Sequence, residues 1–543
     1  MITTDKKTCN ELALLLDLYG VRHAVFSPGS RNTPLIMAIN RMTDIKGHSV
    51  IDERSAAFIA LGLALASETP VAIICTSGSA LLNYAPAIAE AFYSQIPIIV
   101  ISADRPAERI GQDDGQTIIQ ADALKNFTKY GTSIPDNWHD ETEHSFINRK
   151  INEALTSATH SFGGPVHINI EISEPLNRTE DLKQYSPRLI SRFQPSCSFS
   201  NDDASQLSRS IKDKKILVAI GPMKKDSDFC QTMIKLAENL PVLAEGISNV
   251  KGGNIISDID EYILSQDIKE PDIVITFGGG LTSRLLKEKI RSWNCEHWLV
   301  GYRDQFADCF GKLTQHFPCS NSEFANALFS LQRNKKALKT HLNASNFDSN
   351  AVWSDFKACS YICSQVPDYY AVHLSNGMVL RYCQNRLNVN VIHCNRGVNG
   401  IDGCASTAVG YSVVNQHDTL LITGDMCLQY DIAALSSSLI GPKLKIIVIC
   451  NGDGGIFRCI SATKDVDELN EYISPKVNLP IHQLADAYGF TYFEATDFDS
   501  LKISLKLFFD EHSKPALLAV KTDSPASAKV WLDYLEYFKN KKS

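Results

Sequence analysis

The feature that most constrains the fold is a repeated alternation of short apolar runs with longer segments of helical periodicity. In the first third of the chain the apolar runs include HAVF (23–26), VAIIC (71–75) and VHINIEI (166–172), and helical segments separate them. Continuous apolar runs are typical of strands that are buried on both faces, and intervening helices allow such strands to run parallel. The pattern predicts an α/β fold whose doubly wound parallel sheet is covered by helices on both faces.

The same alternation occurs two more times along the chain. A second unit includes KILVAIG (215–221) and DIVITFGGG (272–280), and a third includes TLLITGD (419–425) and LKIIVIC (444–450). At about 150 residues per domain, 543 residues accommodate three or four domains. We predict three doubly wound domains, which span residues 1–180, 181–345 and 346–543. The polar stretch 176–210 is interpreted as a linker. The charged stretch 331–342 has a helical pattern and gives no sharp signal for the end of the second domain.

Charge and cysteine content exclude several functional classes. The chain has 53 Lys and Arg against 61 Asp and Glu, a net charge of −8 without long single-sign runs, so it offers no basic surface for nucleic acid or an anionic membrane. An anionic ligand would need positive charge concentrated locally. The 15 scattered cysteines favour free thiols in a reducing cytoplasm. No apolar run reaches about 18 residues and the first residues lack a signal-peptide pattern, so we expect no membrane span.

Unusual residues follow four consecutive apolar runs of the first unit. The loops are SPGSR (27–31), DER (52–54), TSGS (76–79) and ADRP (103–106). In doubly wound sheets, ligands bind beyond the carboxyl ends of the strands, where such loops converge. Any one loop could be only a helix cap or a tight turn. Caps alone do not require two arginines and a glutamate, so the set predicts a ligand site.

Two neighbouring runs of the third unit end in residues suited to a metal. Asp425 ends one run and Asn451 follows the next, 26 residues later, so both should lie at adjacent strand tips. A carboxylate, an amide oxygen and the carbonyl of Asp453 make a hard oxygen set that suits Mg²⁺, with phosphate oxygens and water completing the octahedron. Glycines in the same loops let backbone N–H groups approach a diphosphate. A lone Gly-Asp is usually structural, but this pair of loops is specific.

These residues resemble the thiamine-diphosphate enzymes, and the resemblance covers the whole chain in the order pyrimidine-binding, central and diphosphate-binding domain. Within that superfamily the chain is similar to the synthases of menaquinone biosynthesis that make 2-succinyl-5-enolpyruvyl-6-hydroxy-3-cyclohexene-1-carboxylate. The motifs are SPGSRNTPL (27–35), DERSAAF (52–58), TSGSA (76–80), ADRP (103–106), GPVHINI (164–170), NRGVNGIDG (395–403) and GGIF (454–457). Together they are far more specific than the general cofactor signature.

The resemblance implies thiamine diphosphate and Mg²⁺ or Mn²⁺ as cofactors. It makes Glu53 catalytic, as the carboxyl that hydrogen-bonds the aminopyrimidine ring, and it makes Ile401 the apolar residue that holds the cofactor bent. The implied cofactor-binding residues are Glu53, Thr76, Ser77, Gly78, Ile401, Gly424, Asp425, Met426, Asn451, Asp453, Gly454, Gly455 and Ile456. The implied metal ligands are Asp425, Asn451 and the carbonyl of Asp453. A glutamate favoured at a helix start by the macrodipole and a core isoleucine are the plain structural alternatives.

The resemblance also implies the substrates. They are 2-oxoglutarate, which is decarboxylated to a succinyl-semialdehyde carbanion, and isochorismate, which that carbanion attacks in a 1,4-addition. Both are dicarboxylates, and guanidinium groups pair well with planar carboxylates. The implied substrate residues are Ser30, Arg31, Arg105 and Gln116 on the isochorismate side, Arg381 and Arg396 for the succinyl carboxylate, and Phe457. Gln116 is also an implied catalytic residue.

The chain departs from the family pattern at two places. Cys450-Asn451-Gly452 replaces the usual asparagine run, so a shift of one residue would leave a glycine at the metal position. Asn376-Gly377 replaces an Asn-Ser pair, so a serine contact to the substrate is missing or comes from elsewhere. Arg284 in the central domain is a further candidate cation near the substrate.

Two alternative functions stay open at this point. One is another thiamine-diphosphate-dependent 2-oxoacid decarboxylase or synthase, which would not need four arginines within its motifs. The other is an inactive homologue that serves as a binding protein, although such a chain would have no reason to keep Glu53, Asp425 and Asn451 together. Because the family's active site forms between subunits, the resemblance also implies a homodimer or homotetramer.

Overall fold

A computed structural model describes residues 2–160, 162–182, 185–192, 201–266, 268–332 and 352–541. Three parallel sheets with helices on both faces make up this part of the chain, so the predicted α/β class is confirmed. None of the described helices is long and apolar enough to cross a membrane.

The first unit is a six-stranded parallel sheet with the strand order β3-β2-β4-β5-β7-β6. The strands of this sheet are β2 (His23–Phe26), β3 (Lys46–Ser49), β4 (Val71–Cys75), β5 (Ile98–Asp104), β6 (Gly131–Pro135) and β7 (Val166–Glu171). A separate antiparallel pair is formed by β1 (Ile2–Thr4) and β8 (Thr179–Asp181). The helices of the unit are α1 (Lys7–Leu18), α2 (Thr33–Met42), α3 (Glu53–Ser67), α4 (Ala80–Asn83), α5 (Ala85–Ser94) and α6 (Glu141–Thr159), with 3-10 turns at Ala107–Arg109 and Lys125–Phe127.

The second unit is a five-stranded parallel sheet with the order β10-β9-β11-β12-β13. Its strands are β9 (Ile216–Ile220), β10 (Val242–Ala244), β11 (Ile273–Phe277), β12 (Glu296–Val300) and β13 (Leu313–Phe317). Its helices are α7 (Asn201–Ser210), α8 (Ser227–Leu236), α9 (Ile259–Ser265), α10 (Arg284–Ser292) and α11 (Asn321–Gln332), with a 3-10 turn at Gly246–Ser248. Separate apolar clusters cover its two faces, as expected for a doubly wound sheet.

The third unit repeats the strand order of the first, β15-β14-β16-β17-β19-β18. Its strands are β14 (Ala371–Leu374), β15 (Val391–His393), β16 (Thr419–Gly424), β17 (Leu444–Cys450), β18 (Thr491–Ala495) and β19 (Ala516–Lys521). Its helices are α12 (Asp355–Gln365), α13 (Met378–Cys383), α14 (Cys404–Val414), α15 (Asp425–Tyr430), α16 (Ile481–Ala487), α17 (Phe498–Phe508) and α18 (Ser524–Lys541). Three 3-10 turns lie at Ile432–Ser436, Gly455–Arg458 and Asp467–Leu469. In this order the direction of winding reverses between β14 and β16, which is where such sheets bind ligands.

The first and third units share one apolar core through helices α3 and α14. The helix backbones approach so closely that a Cβ at Gly410 would lie 2.0 Å from the carbonyl oxygen of Ile59. Next to this contact the ring of Phe58 fills the space above Gly403, whose φ of +67° also favours glycine. The DERSAAF and NRGVNGIDG motifs therefore meet inside one chain.

The structure differs from the predicted elements at several edges. Strand β3, which precedes the DER loop, lies at Lys46–Ser49 in the sequence KGHS and is not a continuous apolar run. The edge strand β6 was not predicted. The predicted linker, residues 176–210, contains β8 and α7. The predicted domain boundary at 180/181 falls inside β8, and the boundary at 345/346 and most of the charged stretch 331–342 lie outside the described residues.

Candidate active site

The two predicted metal-binding loops of the third unit lie side by side. Strands β16 and β17 are paired in register to their ends, so Asp425 and Asn451 emerge at the same sheet edge. The carboxylate of Asp425 accepts hydrogen bonds from the backbone N–H of Gly452 at 2.8 Å and of Met426 at 2.8 Å. Burial raises the Asp425 pKa to about 6, and these N–H groups oppose that rise.

The side-chain amide of Asn451 is held in one orientation by Asp355. The Asn451 Nδ2 donates to the Asp355 carboxylate at 2.8 Å, and the backbone N–H of Asp453 approaches the Asn451 Oδ1 at 3.2 Å. Asp355 is 2% exposed, and Thr522 also donates to it. Because the amide nitrogen is committed to Asp355, the amide oxygen is the Asn451 atom left to bind a cation.

The carboxylate of Asp453 is engaged elsewhere. It forms an ion pair with Arg458 at 2.5 Å and accepts a hydrogen bond from Ser524. The carbonyl, as predicted, is therefore the part of Asp453 that can bind a metal. No group of three His, Cys, Asp or Glu side chains among the described residues is arranged as a metal site, so a cation at this edge must use the oxygen set of carboxylate, amide and carbonyl.

The glycines of these loops leave room for a phosphate. A Cβ built on Gly424 or Gly452 meets no atom within 4 Å, and Gly452 has a φ of +84°. By contrast, Gly454 packs against the ring of Phe457, and its backbone N–H donates to Ser474 at 2.9 Å. An all-oxygen donor set beside open glycine backbone fits Mg²⁺ or Mn²⁺ with a diphosphate. Gly455, Ile456 and Phe457 follow in the 3-10 turn and are partly buried.

Arg381 and Arg396 converge beyond the end of β14. Burial and the charge of Arg396 both lower the pKa of Arg381. The Arg381 Nη1 donates to the carbonyl of Gly377 at 2.6 Å, and the Arg396 Nη1 donates to the Asn376 Oδ1 at 2.8 Å. The Arg396 Nε is buried and has no hydrogen-bond partner within the described structure. Two neighbouring guanidinium groups with unused donors form a site suited to a carboxylate.

Asn376 organises the loop that carries Arg396. Its Nδ2 donates to the carbonyls of Asn395 at 2.7 Å and Gly400 at 2.6 Å, so it holds both ends of this loop. Gly377 has a φ of +106°, a conformation in which a serine would be strained. The departure from Asn-Ser at this position is thus matched to the local backbone.

The central unit presents carboxylates, not Arg284, to this arginine pair. Glu245 and Asp260 both act electrostatically on Arg381, and Glu245 also feels the charge of Arg396. Glu245 is 2% exposed, and backbone N–H groups of Thr282 and Ser283 donate to its Oε1. Arg284 is instead a surface residue that pairs with Glu288 one helical turn away at 2.7 Å. The structure therefore does not bring Arg284 to the predicted site.

The loops of the first unit converge at the carboxyl edge of its own sheet. Arg105 donates from its Nε to the carbonyl of Gly115 at 2.8 Å, which ties it to the loop that carries Gln116. The backbone of Gln116 lies about 3.4 Å from the position of a Cβ on Gly78, so it covers the TSGS loop. Thr76 and Ser77 are buried there, whereas Gln116 itself is exposed. Arg105, Gln116 and the TSGS loop are thus brought together.

Arg31 and Ser30 occupy the neighbouring loop. Arg31 is buried and donates to the carbonyl of Ile172 at 2.9 Å and to Glu174 at 3.0 Å. Ser30 is exposed. A Cβ on Gly29 would lie 2.4 Å from the Cβ of Thr76, so the SPGSR and TSGS loops touch through this glycine.

Glu53 begins α3 and is only partly buried in the single chain. In the described part of the chain, no hydrogen bond or ion pair joins it to Asp425, Asn451 or Asp453. The next residue, Arg54, instead donates to the carbonyl of Tyr430 at 2.7 Å, at the far end of the helix that Asp425 begins. Ile401 is also partly buried, and its carbonyl accepts a hydrogen bond from the thiol of Cys427 at 2.8 Å.

Several polar residues at these loops escaped the sequence reasoning. Gln120 is fully buried, accepts the backbone N–H of Gly78 at 2.7 Å and donates to Asn169 at 2.9 Å. Asp355 orients Asn451. Asn376 appears in the sequence only as the residue before Gly377, where the chain departs from the family pattern. None lies in a glycine-rich or charged motif. Asn376 lies just after the buried strand β14, but Gln120 follows the exposed Ile119, so no sequence pattern marks all three residues.

Comparison with known proteins places these observations in a family. The family model described as thiamine pyrophosphate enzyme, N-terminal TPP binding domain, matches residues 7–125. Proteins named 2-succinyl-5-enolpyruvyl-6-hydroxy-3-cyclohexene-1-carboxylate synthase are similar over nearly the whole chain. The one from Porphyromonas gingivalis is 35% identical, over 98% of this chain and 97% of the relative. The one from Flavobacterium psychrophilum is 36% identical, over 96% of each. A benzoylformate decarboxylase structure from Polynucleobacter necessarius, at 16% identity, covers 96% of this chain and 99% of its own with a TM-score of 0.71, which shows the shared fold alone.

Proposed function

The chain belongs to the family of 2-succinyl-5-enolpyruvyl-6-hydroxy-3-cyclohexene-1-carboxylate synthases, and from this membership we propose which residues perform its reaction. It is a thiamine-diphosphate-dependent transferase of menaquinone biosynthesis. We propose that it decarboxylates 2-oxoglutarate and adds the succinyl-semialdehyde fragment to isochorismate in a 1,4-addition, with release of CO₂. The observation that carries this choice of substrate is the convergence of Arg381 and Arg396, with a buried Arg396 Nε free to bind a carboxylate.

We assign the diphosphate end of the cofactor to the edge of the third sheet. Asp425, Asn451 and the carbonyl of Asp453 would hold Mg²⁺ or Mn²⁺, while Gly424, Met426, Gly454, Gly455 and Ile456 would line the diphosphate. The open space at Gly424 and Gly452 supports this assignment. When bound, the cofactor would supply a carbanion nucleophile for the 2-oxo carbon and a cationic ring that can accept the electron pair left when CO₂ departs.

We assign the pyrimidine end to the first unit. Glu53 would hydrogen-bond the ring, Thr76, Ser77 and Gly78 would line it, and Ile401 would hold the cofactor bent. Gln116 would act on isochorismate, whose carboxylates Ser30, Arg31 and Arg105 would bind. The contact of Arg105 with the Gln116 loop supports grouping these residues on one side of the pocket. Phe457 would line the side that binds the succinyl group.

We propose that two copies of the chain complete each site. Within one chain, no hydrogen bond or ion pair joins the Glu53 carboxylate to the metal-binding loops in the described residues, and Glu53 remains partly exposed. Apolar side chains beside the first-unit loops are also exposed: Ile51 by 85%, Leu82 by 48% and Ile119 by 77%. Exposed apolar residues around a polar site indicate an interface. A homodimer or homotetramer that joins first-unit loops of one subunit to third-unit loops of another would bury Glu53 and these apolar side chains.

We also propose a cytoplasmic location, because the 14 described cysteines are all free thiols.

The substrate assignment is tested by following both substrates in one assay. The protein with thiamine diphosphate and Mg²⁺ should consume isochorismate only when 2-oxoglutarate is present, and pyruvate should not replace 2-oxoglutarate. Consumption of pyruvate without loss of isochorismate would instead favour another decarboxylase or synthase of the superfamily.

The role of Glu53 is tested by Glu53→Gln. The amide keeps the shape of the side chain but cannot hold the acidic proton, so turnover should fall by a factor of about 10²–10⁴, the usual contribution of a positioned acid or base. Binding of thiamine diphosphate, measured by calorimetry, should change much less. Undiminished turnover would remove Glu53 from the mechanism.

A further inference from the structure

Glu90 is a buried carboxylate at the contact between the first and third units. It lies in α5 and is 2% exposed, and no cation pairs with it among the residues that the structure describes. Its Oε1 accepts a hydrogen bond from the Ser94 hydroxyl at 2.9 Å. A buried carboxylate is costly unless other groups compensate its charge, so its remaining partners must account for its presence.

Those partners are two consecutive backbone N–H groups of the third unit. Gly397 donates to Oε1 at 2.7 Å and Val398 donates to Oε2 at 2.8 Å. The approach is so close that a Cβ on Gly397 would lie 2.5 Å from the carbonyl oxygen of Glu90. Hydrogen bonds to an ionised carboxylate are stronger than neutral ones, and both oxygens are used.

Both N–H groups follow Arg396 directly along the chain. On its other side the same loop is held by Asn376, which binds the carbonyls of Asn395 and Gly400 and also the Arg396 guanidinium. The loop is therefore fixed between Asn376 within the third unit and Glu90 from the first. Both contacts restrain the backbone at Arg396.

We propose that Glu90 is a positioning residue that aims Arg396 at the distal carboxylate of the 2-oxoacid substrate. This inference rests on the proposed function, in which Arg396 binds that carboxylate. Glu90 itself touches neither substrate nor cofactor. Its effect passes through the main chain of Gly397 and Val398, so a residue of the first unit sets substrate preference at a site built on the third.

A carboxylate is required because two donors must be accepted at once. In Glu90→Gln one oxygen remains, and the new amide NH₂ faces a backbone N–H, so at least one buried donor is left unpaired. We expect the KM for 2-oxoglutarate to rise about tenfold, with kcat changed less, because the carboxylate bound by Arg396 is remote from the reacting carbon. The KM for isochorismate and the affinity for thiamine diphosphate should stay within about twofold of wild type.

Two comparisons separate positioning from general destabilisation. The matched control Ser94→Ala removes the third partner of the Glu90 carboxylate, which lies beside Gly397, but leaves both backbone N–H donors of the loop paired with Glu90. It should raise the KM for 2-oxoglutarate much less than Glu90→Gln does. In a double-mutant cycle with Arg396→Lys, Glu90→Gln should add little to the effect of Arg396→Lys, since both act through one group. Multiplicative effects of the two changes, or equal rises of both KM values, would overturn the proposal.

A readout independent of activity distinguishes failure of this proposal from failure of the proposed function. In Glu90→Gln, hydrogen exchange of the peptide containing residues 395–400 should be faster than in wild type, and exchange in α3 should be unchanged. Unchanged exchange in this peptide would overturn the positioning role whatever the substrate. If the wild-type protein does not consume 2-oxoglutarate, the proposed function fails on that measurement alone.

Discussion

The orientation of Asn451 illustrates how one buried carboxylate decides what its neighbour can bind. Asp355 takes the amide nitrogen of Asn451, which leaves the amide oxygen for a cation. Residues that orient metal ligands typically contribute a factor of 10–100 to metal affinity. Asp355→Ala should therefore weaken Mn²⁺ binding in the presence of thiamine diphosphate by about 10- to 100-fold, as measured by calorimetry.

The matched control for Asp355→Ala is Thr522→Val. Thr522 also donates to Asp355, and its loss leaves the Asn451 contact intact. Thr522→Val should change Mn²⁺ affinity by less than about threefold. An Asp355→Ala protein that folds and binds Mn²⁺ like wild type would show that Asn451 is oriented by other contacts.

Asp431 makes the stability of the fold depend on pH. It is fully buried, and its carboxylate accepts the backbone N–H and the hydroxyl of Ser406 at the start of α14. Burial raises its pKa from 3.8 to about 6, despite these hydrogen bonds and the nearby charge of Arg54. The folded protein then binds more protons than the unfolded chain between about pH 4 and 6. Stability contributed by this group is lost as pH rises through that window.

Asp431→Asn should remove this dependence and keep both contacts with Ser406, since an amide can accept the N–H and donate to the hydroxyl. A shift of about 2 pKa units corresponds to about 3 kcal/mol, which sets the upper bound for stabilisation of the variant at pH 8. The advantage over wild type should shrink toward pH 4. Urea unfolding of both proteins at pH 5 and pH 8 measures it, and an equal difference at the two pH values would contradict the assignment.

At the level of single residues, the sequence was informative where chemistry needs an unusual residue in a loop. Asp425, Asn451 and Arg396 stand out in such loops, whereas Arg381 lies in α13 and is implied only by the resemblance. The structure brings the four residues together in two groups. Glu90, Asp355 and Gln120 do not stand out, because a buried polar side chain is recognised only by its partners. Those partners lie 96 residues away for Asp355 and 307 residues away for Glu90.

At the level of elements, the close contact of α3 with α14 joins the first and third units. Gly410→Ala would place a methyl group 2.0 Å from the carbonyl oxygen of Ile59. Alanine is the better helix former by about 1 kcal/mol, but overpacking a tight core typically costs about 1–3 kcal/mol and here meets backbone. We expect the variant to melt at least about 2–4 °C lower by calorimetry.

Gly441→Ala is the control for this substitution. A Cβ on Gly441 meets no atom within 4 Å, so alanine should leave the melting temperature within about 1 °C of wild type. If Gly410→Ala left the melting temperature as little changed as Gly441→Ala does, the close contact between α3 and α14 would not contribute to stability.

The strands that could not be predicted lie at sheet edges. Central strands such as β4 and β17 are buried on both faces and read as continuous apolar runs. Among the described strands, β6 pairs only with β7, and in its sequence GTSIP only Ile134 is buried. At the other end of this sheet β3, with the sequence KGHS, has β2 as its one neighbour within the described part of the chain. Edge strands need little apolar surface, so the pattern that marks the centre of a sheet is missing from them.

For the whole molecule, the net charge of −8 conceals an opposite local charge. The first and third sheets have the same strand order, so each carries its loops at an equivalent edge. Arg31 and Arg105 lie at the edge of the first sheet, and Arg381 and Arg396 lie beyond the third. A pocket for two dicarboxylates requires these two pairs of arginines to face each other. In the proposed assembly, the first unit of one subunit and the third unit of another bring them together.

The proposed assembly predicts complementation between two inactive variants. If each site combines Glu53 of one subunit with Asp425 of another, a mixed dimer of Glu53→Gln and Asp425→Ala subunits contains one intact site and one doubly altered site. Random exchange of equal amounts should then restore about a quarter of wild-type activity, since about half of the dimers are mixed and each has one working site.

The result depends only on which chain supplies each residue, because both variants are inactive alone. If Glu53 and Asp425 of the same chain formed the site, every site in the mixture would carry a defect and no activity would return. Exchange itself can be verified by sedimentation of differently tagged subunits.

The exposed Ile51, two residues before Glu53, offers a second test of the assembly. Ile51→Asp should weaken the interface between subunits and so lower activity, and a higher protein concentration should restore that activity.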